Sequence, residues 1–459
     1  MLIGNTPLMI IVAALVTMVI AALLLSGVLR VLLIAQAVYW GMSYVARPVV
    51  LLVVQPAASF GDNVADPRLV ALGYDRGIEA ALTPVAFGLV VYALLLLGYA
   101  LWSRRRGPRP RRPVPLAGDP NMMGTLVVLY ALGTLARLAS VASGSAGAAG
   151  EVASASPVLS LLAMPATLGA VGLIVLARPE RNRDTMLLLG FLVLGELWWT
   201  TAIQSKTPVL GAALAVAVRF ALTGWTRDKV LGIGAVSVAG IAGFDWLQSL
   251  KSTPYLRAQA ASVDAAYPEP VRPFLSLLRR FDLLEAATDA YFIEPGSWLT
   301  PDQVITALAR SLVPGQLLPG EKLQAGTAWA TDVRGASVDM SQVSVSLAEG
   351  SIPEGYVLGG YAGVVIGVVF TAIVLIAWSR ALYARHMVPV LFGIGLIEVP
   401  VVFERGMLGT AETLGKYLQV VVLAWMVRLA VGEWRRHRER TTAPVAAGVP
   451  VPVGSEGKQ

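Results

Sequence analysis

Apolar residues run along this chain in long unbroken blocks, without the short alternation of strands or the half-polar stripe of soluble helices. Eleven blocks, near 8–28, 31–54, 81–102, 122–141, 157–177, 186–203, 208–224, 230–248, 357–379, 388–403 and 415–432, approach the roughly 20 residues a helix needs to cross a hydrocarbon core. They predict eleven membrane helices. The first block has no basic stretch before it and no distinct small-residue cleavage site, so it reads as a retained helix. The pattern changes over 249–356, a segment too long for a turn and expected to form a small outer domain. There Phe274, Leu277, Leu278, Phe281 and Leu284 recur at helical spacing and predict a helix over 272–292. Thr300 as N-cap and Pro301 at the first helical position predict another over 301–313. Both are too short and too polar to span, and are expected to lie along the outer face. The expected organisation is 1–248 with helices one to eight, 249–356 as the outer domain, 357–432 with the last three helices, and 433–459 as a disordered tail. The proline-rich 107–120 linker is also expected to lack structure.

Composition agrees with an all-α polytopic membrane protein. Of 459 residues 56% are hydrophobic and 14% charged, against about 45–50% and about 25% in soluble domains. The absence of cysteine excludes disulfides, thiolate nucleophiles and cysteine-bound metals. With only His386 and His437, neither a Ser-His-Asp triad nor a histidine-rich metal site is expected. No metal and no cofactor enter the sequence reading.

The net charge of +7 gains meaning once each connection has a side. Arg30, the block from Arg104 to Arg112, Arg178, Arg181, Arg183, Arg227, Lys229, Arg380, Arg385 and the basic tail all fall on alternate connections, which the positive-inside rule makes cytoplasmic. The chain then starts outside and ends inside, as eleven spans require. The segment 249–356 carries eight basic and twelve acidic residues, net −4. The basic total is therefore a topology signal and gives no reason to expect nucleic acid.

Ionisable groups in or beside membrane helices are costly, which makes them candidates for function. Arg47, Lys206 and Arg405 fall at outward ends of helices, where guanidinium and ammonium groups suit a phosphate-bearing lipid. The plainer reading of each is a helix-end anchor or an ion pair, for Arg405 with Glu404. Arg219 and Arg428 lie nearer the cytoplasmic ends and are expected to snorkel. Glu196 and Glu398 fall inside helices with no partner evident from sequence. In the outer segment the candidates are Arg279, Arg280, Asp282, Arg310, Glu321, Lys322 and Glu354, with Trp298 and Trp329 as stacking surfaces or simple packing. Glu354 precedes a glycine-rich helix and is either a general base or a carboxylate favoured at a helix start.

The order of these pieces resembles the Wzy-type O-antigen and oligosaccharide-repeat-unit polymerases of bacterial envelopes. Four stretches carry the likeness: Ser205-Lys206-Thr207-Pro208-Val209-Leu210, Arg280-Phe281-Asp282-Leu283-Leu284, Val313-Pro314 through Pro319-Gly320-Glu321-Lys322, and Ser344 to Val369 with Glu354-x-Tyr356 and Gly359, Gly360, Gly363 and Gly367. Glu404-Arg405-Gly406 before the last helix fits as well. The likeness covers about 200 to 430. It departs at Pro314-Gly315, where the family commonly has Pro-Arg and a spacing to Lys322 one residue shorter; Arg310 is the nearest substitute cation.

The resemblance implies a GT-C-like architecture in the bacterial cytoplasmic membrane and a metal-independent glycosyl transfer outside it. A growing glycan would pass from undecaprenyl diphosphate to a hydroxyl of an incoming lipid-linked repeat unit. Glu354, then Asp282 or Glu321, would serve as base. Arg47, Lys206, Arg279, Arg280, Arg310, Lys322 and Arg405, with Tyr356, Trp298 and Trp329, would bind substrate. The implied partners are the undecaprenyl-diphosphate-linked oligosaccharide, membrane lipids and a chain-length regulator. An O-antigen-type ligase, a lipid II-type polymerase and a lipid-linked-sugar flippase are the alternatives.

Overall fold

A computed structural model describes residues 4–58, 64–106, 114–145, 157–178, 182–203, 205, 207–227, 229, 231, 264–279, 281–313, 322–335, 347–399 and 401–442. Among these residues every regular element is a helix. The bundle comprises α1 (Thr6–Leu24), α2 (Val28–Gly41) continued through a π-turn (Met42–Ala46) into α3 (Arg47–Val54), α4 (Pro67–Leu72), α5 (Tyr74–Arg105), α6 (Pro120–Ala142), α7 (Pro157–Leu176), α8 (Asn182–Ala202) and α9 (Thr207–Thr223). The long connection contributes α10 (Arg272–Leu278), α11 (Leu283–Tyr291), α12 (Pro301–Leu312) and α13 (Ala325–Ala328), and the chain ends with α14 (Ser351–Ala381), α15 (Met387–Glu398), α16 (Val401–Glu404) and α17 (Met407–Thr442).

Seven helices are long and apolar enough to cross a membrane, and three shorter apolar ones, Leu161–Leu176, Thr207–Thr223 and Met387–Glu398, stand where further spans were expected. The expected span 230–248 lies outside the described residues. Three expectations change. The helix over 272–292 is two helices, Arg272–Leu278 and Leu283–Tyr291; Phe274 points outward and Leu275, Leu278, Leu283 and Leu284 are buried. The last helix continues to Thr442, past the expected 432. Part of the proline-rich linker is ordered: Leu116 is buried and the Gly118 N–H donates to the Leu176 carbonyl.

Contacts sort the turns into the two sets that basic residues separated in the sequence. At one end Gly27 abuts Tyr383, Arg380 donates to the Tyr99 hydroxyl, and Arg219 donates to the carbonyls of Ile174 and Ala177. Arg219 is buried, so instead of snorkelling it satisfies carbonyls at the end of α7 that have no partner within the helix. At the other end α4, α10 to α13, the start of α14 and the α15 to α17 turns meet. This second set is not a detached domain: Tyr267, Leu275, Leu283, Leu284 and Ala287 join the same apolar core as the bundle.

Two breaks shape this loop end. Pro48 lacks an N–H for the helical ladder, and the π-turn just before it, closed by the Arg47 N–H on the Met42 carbonyl, absorbs the mismatch. In α14, Gly359 and Gly360 leave helical conformation, with Gly360 at φ 58°. The chain folds back there: a Cβ on Gly355 would come within 2.5 Å of the Gly363 carbonyl oxygen, and one on Gly367 within 2.5 Å of that of Ser351. Residues 351–358 therefore run antiparallel to 361–381. Only glycine permits backbones this close, and Gly88 of α5 lets Ile352 and Val364 from both arms seat together.

Candidate functional site

The fold-back brings the glycine-rich block against Glu404-Arg405-Gly406. Glu354 is fully buried, and its carboxylate accepts the backbone N–H groups of Met407 and Leu408, the latter at 3.2 Å. These are free donors of the first turn of α17, where a negative charge is also favoured by the helix dipole. Gly406 has no side chain because the Glu354 carboxyl occupies that space. The sequence placed Glu354 either at an acceptor hydroxyl or at the start of its own helix. It does lie in the first turn of its own helix, and it also caps α17 and is closed off from solvent.

Arg405 sits in the gap between α16 and α17. It donates to the Leu347 carbonyl at 2.9 Å, lies 3.3 Å from Glu349 and 3.8 Å from Glu412, and is 12% exposed. It pairs with Glu349 and Glu412, and Glu404, which also acts on it electrostatically, accepts from the Tyr39 hydroxyl at 2.8 Å. Glu349 is fully buried, and neither of its oxygens has a hydrogen-bond donor in good geometry. Burial pushes its carboxyl up to about 7 against the pull of Arg405. Burial works against the Arg405 charge, but Glu349 and Glu412 outweigh it and hold its pKa above the ordinary arginine value.

Cations gather beside this gap. Helix α12 starts at the predicted N-cap Thr300, which also forms a capping box with Gln303, and its last turn packs on Gly415 of α17. That packing carries Arg310 to the site. Lys322 donates to the Val313 carbonyl, the Ala325 N–H donates to Glu412, and Lys416 pairs with Glu412 at 2.6 Å. Desolvation lowers the Lys322 pKa, and the nearby Lys416 and Arg310 reinforce the shift despite Glu412. Four cations, Arg310, Lys322, Arg405 and Lys416, thus surround the first turns of α17. Lys416 was missed by sequence reasoning, although its position four residues after Glu412 is a helical ion-pair spacing.

A second ionic cluster lies alongside. Asp289 is fully buried and accepts from Arg68 at 2.6 Å, Arg334 at 2.9 Å and the Trp329 indole at 2.9 Å. Arg334 continues to Glu285 at 3.2 Å and Glu285 to Arg47 at 3.9 Å, while Arg47 also donates to the carbonyls of Phe281 and Val64. Arg47 is only 2% exposed, so it ties α3 to the loop helices and is not displayed at a mouth. Trp329 is wholly buried edge-on against Trp298, whose N–H reaches Asp332; its packing reading holds, and its faces are not open to a sugar. Arg279 pairs with Asp264 at 2.6 Å. Tyr356 is half-buried against Tyr361. Half-buried Asp282 acts electrostatically on Tyr39 and Tyr44, linking the two clusters. Lys206, Arg280 and Glu321 lie outside the described residues.

Among the described residues no group of histidine and acidic side chains could hold a metal ion. The arrangement can seat an anion beside α17 through charge. No family model, curated protein or solved structure matches the chain.

Proposed function

We propose that this chain is a polysaccharide polymerase of the bacterial cytoplasmic membrane, with its N-terminus outside and its C-terminus in the cytoplasm. It transfers a growing glycan from undecaprenyl diphosphate to a hydroxyl of an incoming lipid-linked repeat unit at the loop end of the bundle. The observation that supports this most is the convergence of Arg310, Lys322, Arg405 and Lys416 at the broken start of the last helix. In the reaction the bond from the anomeric carbon to the diphosphate oxygen breaks and a bond to the acceptor oxygen forms. The four cations stabilise the departing diphosphate, and a carboxylate takes the acceptor proton. Asp282, partly accessible, stands first as that base, with Glu321 next; Glu354 serves by fixing the start of α17. Purified protein supplied with lipid-linked repeat units should form polymer, and Lys322→Ala with Lys416→Ala should reduce turnover at least tenfold. Unchanged polymer length and rate in the folded double variant would refute the assignment.

A second reading is favoured by one specific observation. The discontinuous helices α14 and α15 to α17, with a buried Arg137 and Glu196 pair between spans, are features of transporters that move polar substrates. In liposomes a lipid-linked-sugar flippase would move labelled substrate between leaflets without lengthening it, and a polymerase would lengthen it.

A further inference from the structure

A polar cluster lies inside the bundle, each member more than a turn from the loop-end limit of its helix or at a helix break. Arg137 of α6, 2% exposed, bonds Glu196 of α8, fully buried, through Nη1 to Oε1 at 2.8 Å and Nη2 to Oε2 at 3.2 Å. Thr167 of α7 accepts a further N–H from the guanidinium, and the Trp199 ring lies 4.9 Å from it. This pair is neutral and bidentate.

A second carboxyl belongs to the same field. Glu398, 93% buried by its 7% exposure, closes α15, and both Glu196 and Arg137 act on it electrostatically. Its Oε2 is buried without a hydrogen bond, with the Tyr417 hydroxyl of α17 beside the carboxyl. Two carboxyls and one guanidinium leave one negative charge in surroundings formed by Leu396, Ile397 and Val420. An uncompensated buried charge is expensive enough that such a group neutralises instead. Glu196 already holds the guanidinium with both oxygens. Glu398 ends a helix, where the carbonyls present partial negative charge and disfavour a carboxylate. Its backbone cannot move away: a Cβ on Gly211 of α9 would stand 2.7 Å from the Glu398 carbonyl oxygen.

Among the described residues the other helices against α15 bring no titratable group to this point. Helix α7 contains none, the only one of α9 is Arg219 at its far end, and α14 meets α15 through Trp378, which donates to the Gly393 carbonyl. The geometry points to an intramembrane proton-binding site, in which Glu398 carries a proton beside Tyr417 and exchanges it under the control of the Arg137 and Glu196 pair. This goes beyond the polymerase reading and does not depend on it.

Infrared difference spectra of the full chain in lipid nanodiscs at neutral pH test the site. Subtracting Glu398→Gln from wild type should show loss of a protonated-carboxyl C=O band with carboxylate bands unchanged; loss of carboxylate bands would overturn the proposal. Glutamine mimics the neutral acid, so this variant should melt at the wild-type temperature, and failure to fold would equally overturn it. Glu196→Gln frees Arg137 for Glu398 and should abolish the same protonated band. Persistence of that band would refute the shared guanidinium.

Discussion

Asp289 and Glu349 are both fully buried carboxyls at the loop end, yet their surroundings differ sharply. Asp289 has two guanidiniums and an indole N–H, all in hydrogen-bond geometry, drawn from α4 and the segment 329–334. Glu349 has one guanidinium at 3.3 Å that also serves Leu347 and Glu412, and neither this nor the nearby N–H groups of Glu349 and Gly406 meets its oxygens in good hydrogen-bond geometry. A fully satisfied polar network rigidifies and fixes a unique arrangement, whereas buried groups left short of partners are found at sites that must change charge or bind. By this contrast the Asp289 cluster fastens the loop end, and the cluster around Arg405 is the one left able to change charge or bind.

The sharpest way to break the comparison is Asp289→Ala. Leaving Arg68 and Arg334 without their shared carboxylate should cost about 3–5 kcal/mol, read as a lower midpoint in denaturant titration in mixed micelles. Glu349→Gln should act through pH. The Glu349 carboxyl titrates near 7 in the fold against an ordinary 4.5, so its stabilising contribution is complete below about 4.5 and is lost as pH rises to about 7. That slope, about 3 kcal/mol across the interval, should disappear in the variant when stability is measured at several pH values. Gly406→Ala should cost about 1–3 kcal/mol by overpacking, because the new methyl meets the Glu354 carboxyl. A larger loss for Glu349→Gln at low pH than for Asp289→Ala would reverse the assignment of roles.

Local signals were legible in the sequence and distant pairings were not. Helix positions followed from apolar runs, and the start of α12 from Thr300 and Pro301, because these depend on residues within one turn. The fold-back at Gly359 and Gly360 was hidden, since an apolar run reads the same whether the helix continues or reverses. Asp289 bonds Arg68 across 221 residues and Arg137 bonds Glu196 across 59, separations that periodicity cannot report. An arginine such as Arg137 inside an apolar block was nevertheless a visible signal, and it called for a carboxylate partner. The motifs Glu354-x-Tyr356 and Glu404-Arg405-Gly406 were recognised separately; their union depends on the hairpin that brings Glu354 to Gly406.

The hairpin also constrains how the chain enters the bilayer. The arm 351–358 spans about 12 Å at 1.5 Å per residue, under half a hydrocarbon core of about 30 Å, so it cannot be threaded across as a separate segment. It must be carried in with 361–381 as one unit, emerging on the side from which it came. During biosynthesis Glu354 would therefore wait beside its own hairpin until α17 is made. The carboxylate that caps the last helix is in place before that helix exists, so the site at its start closes only when synthesis of the membrane domain is nearly finished.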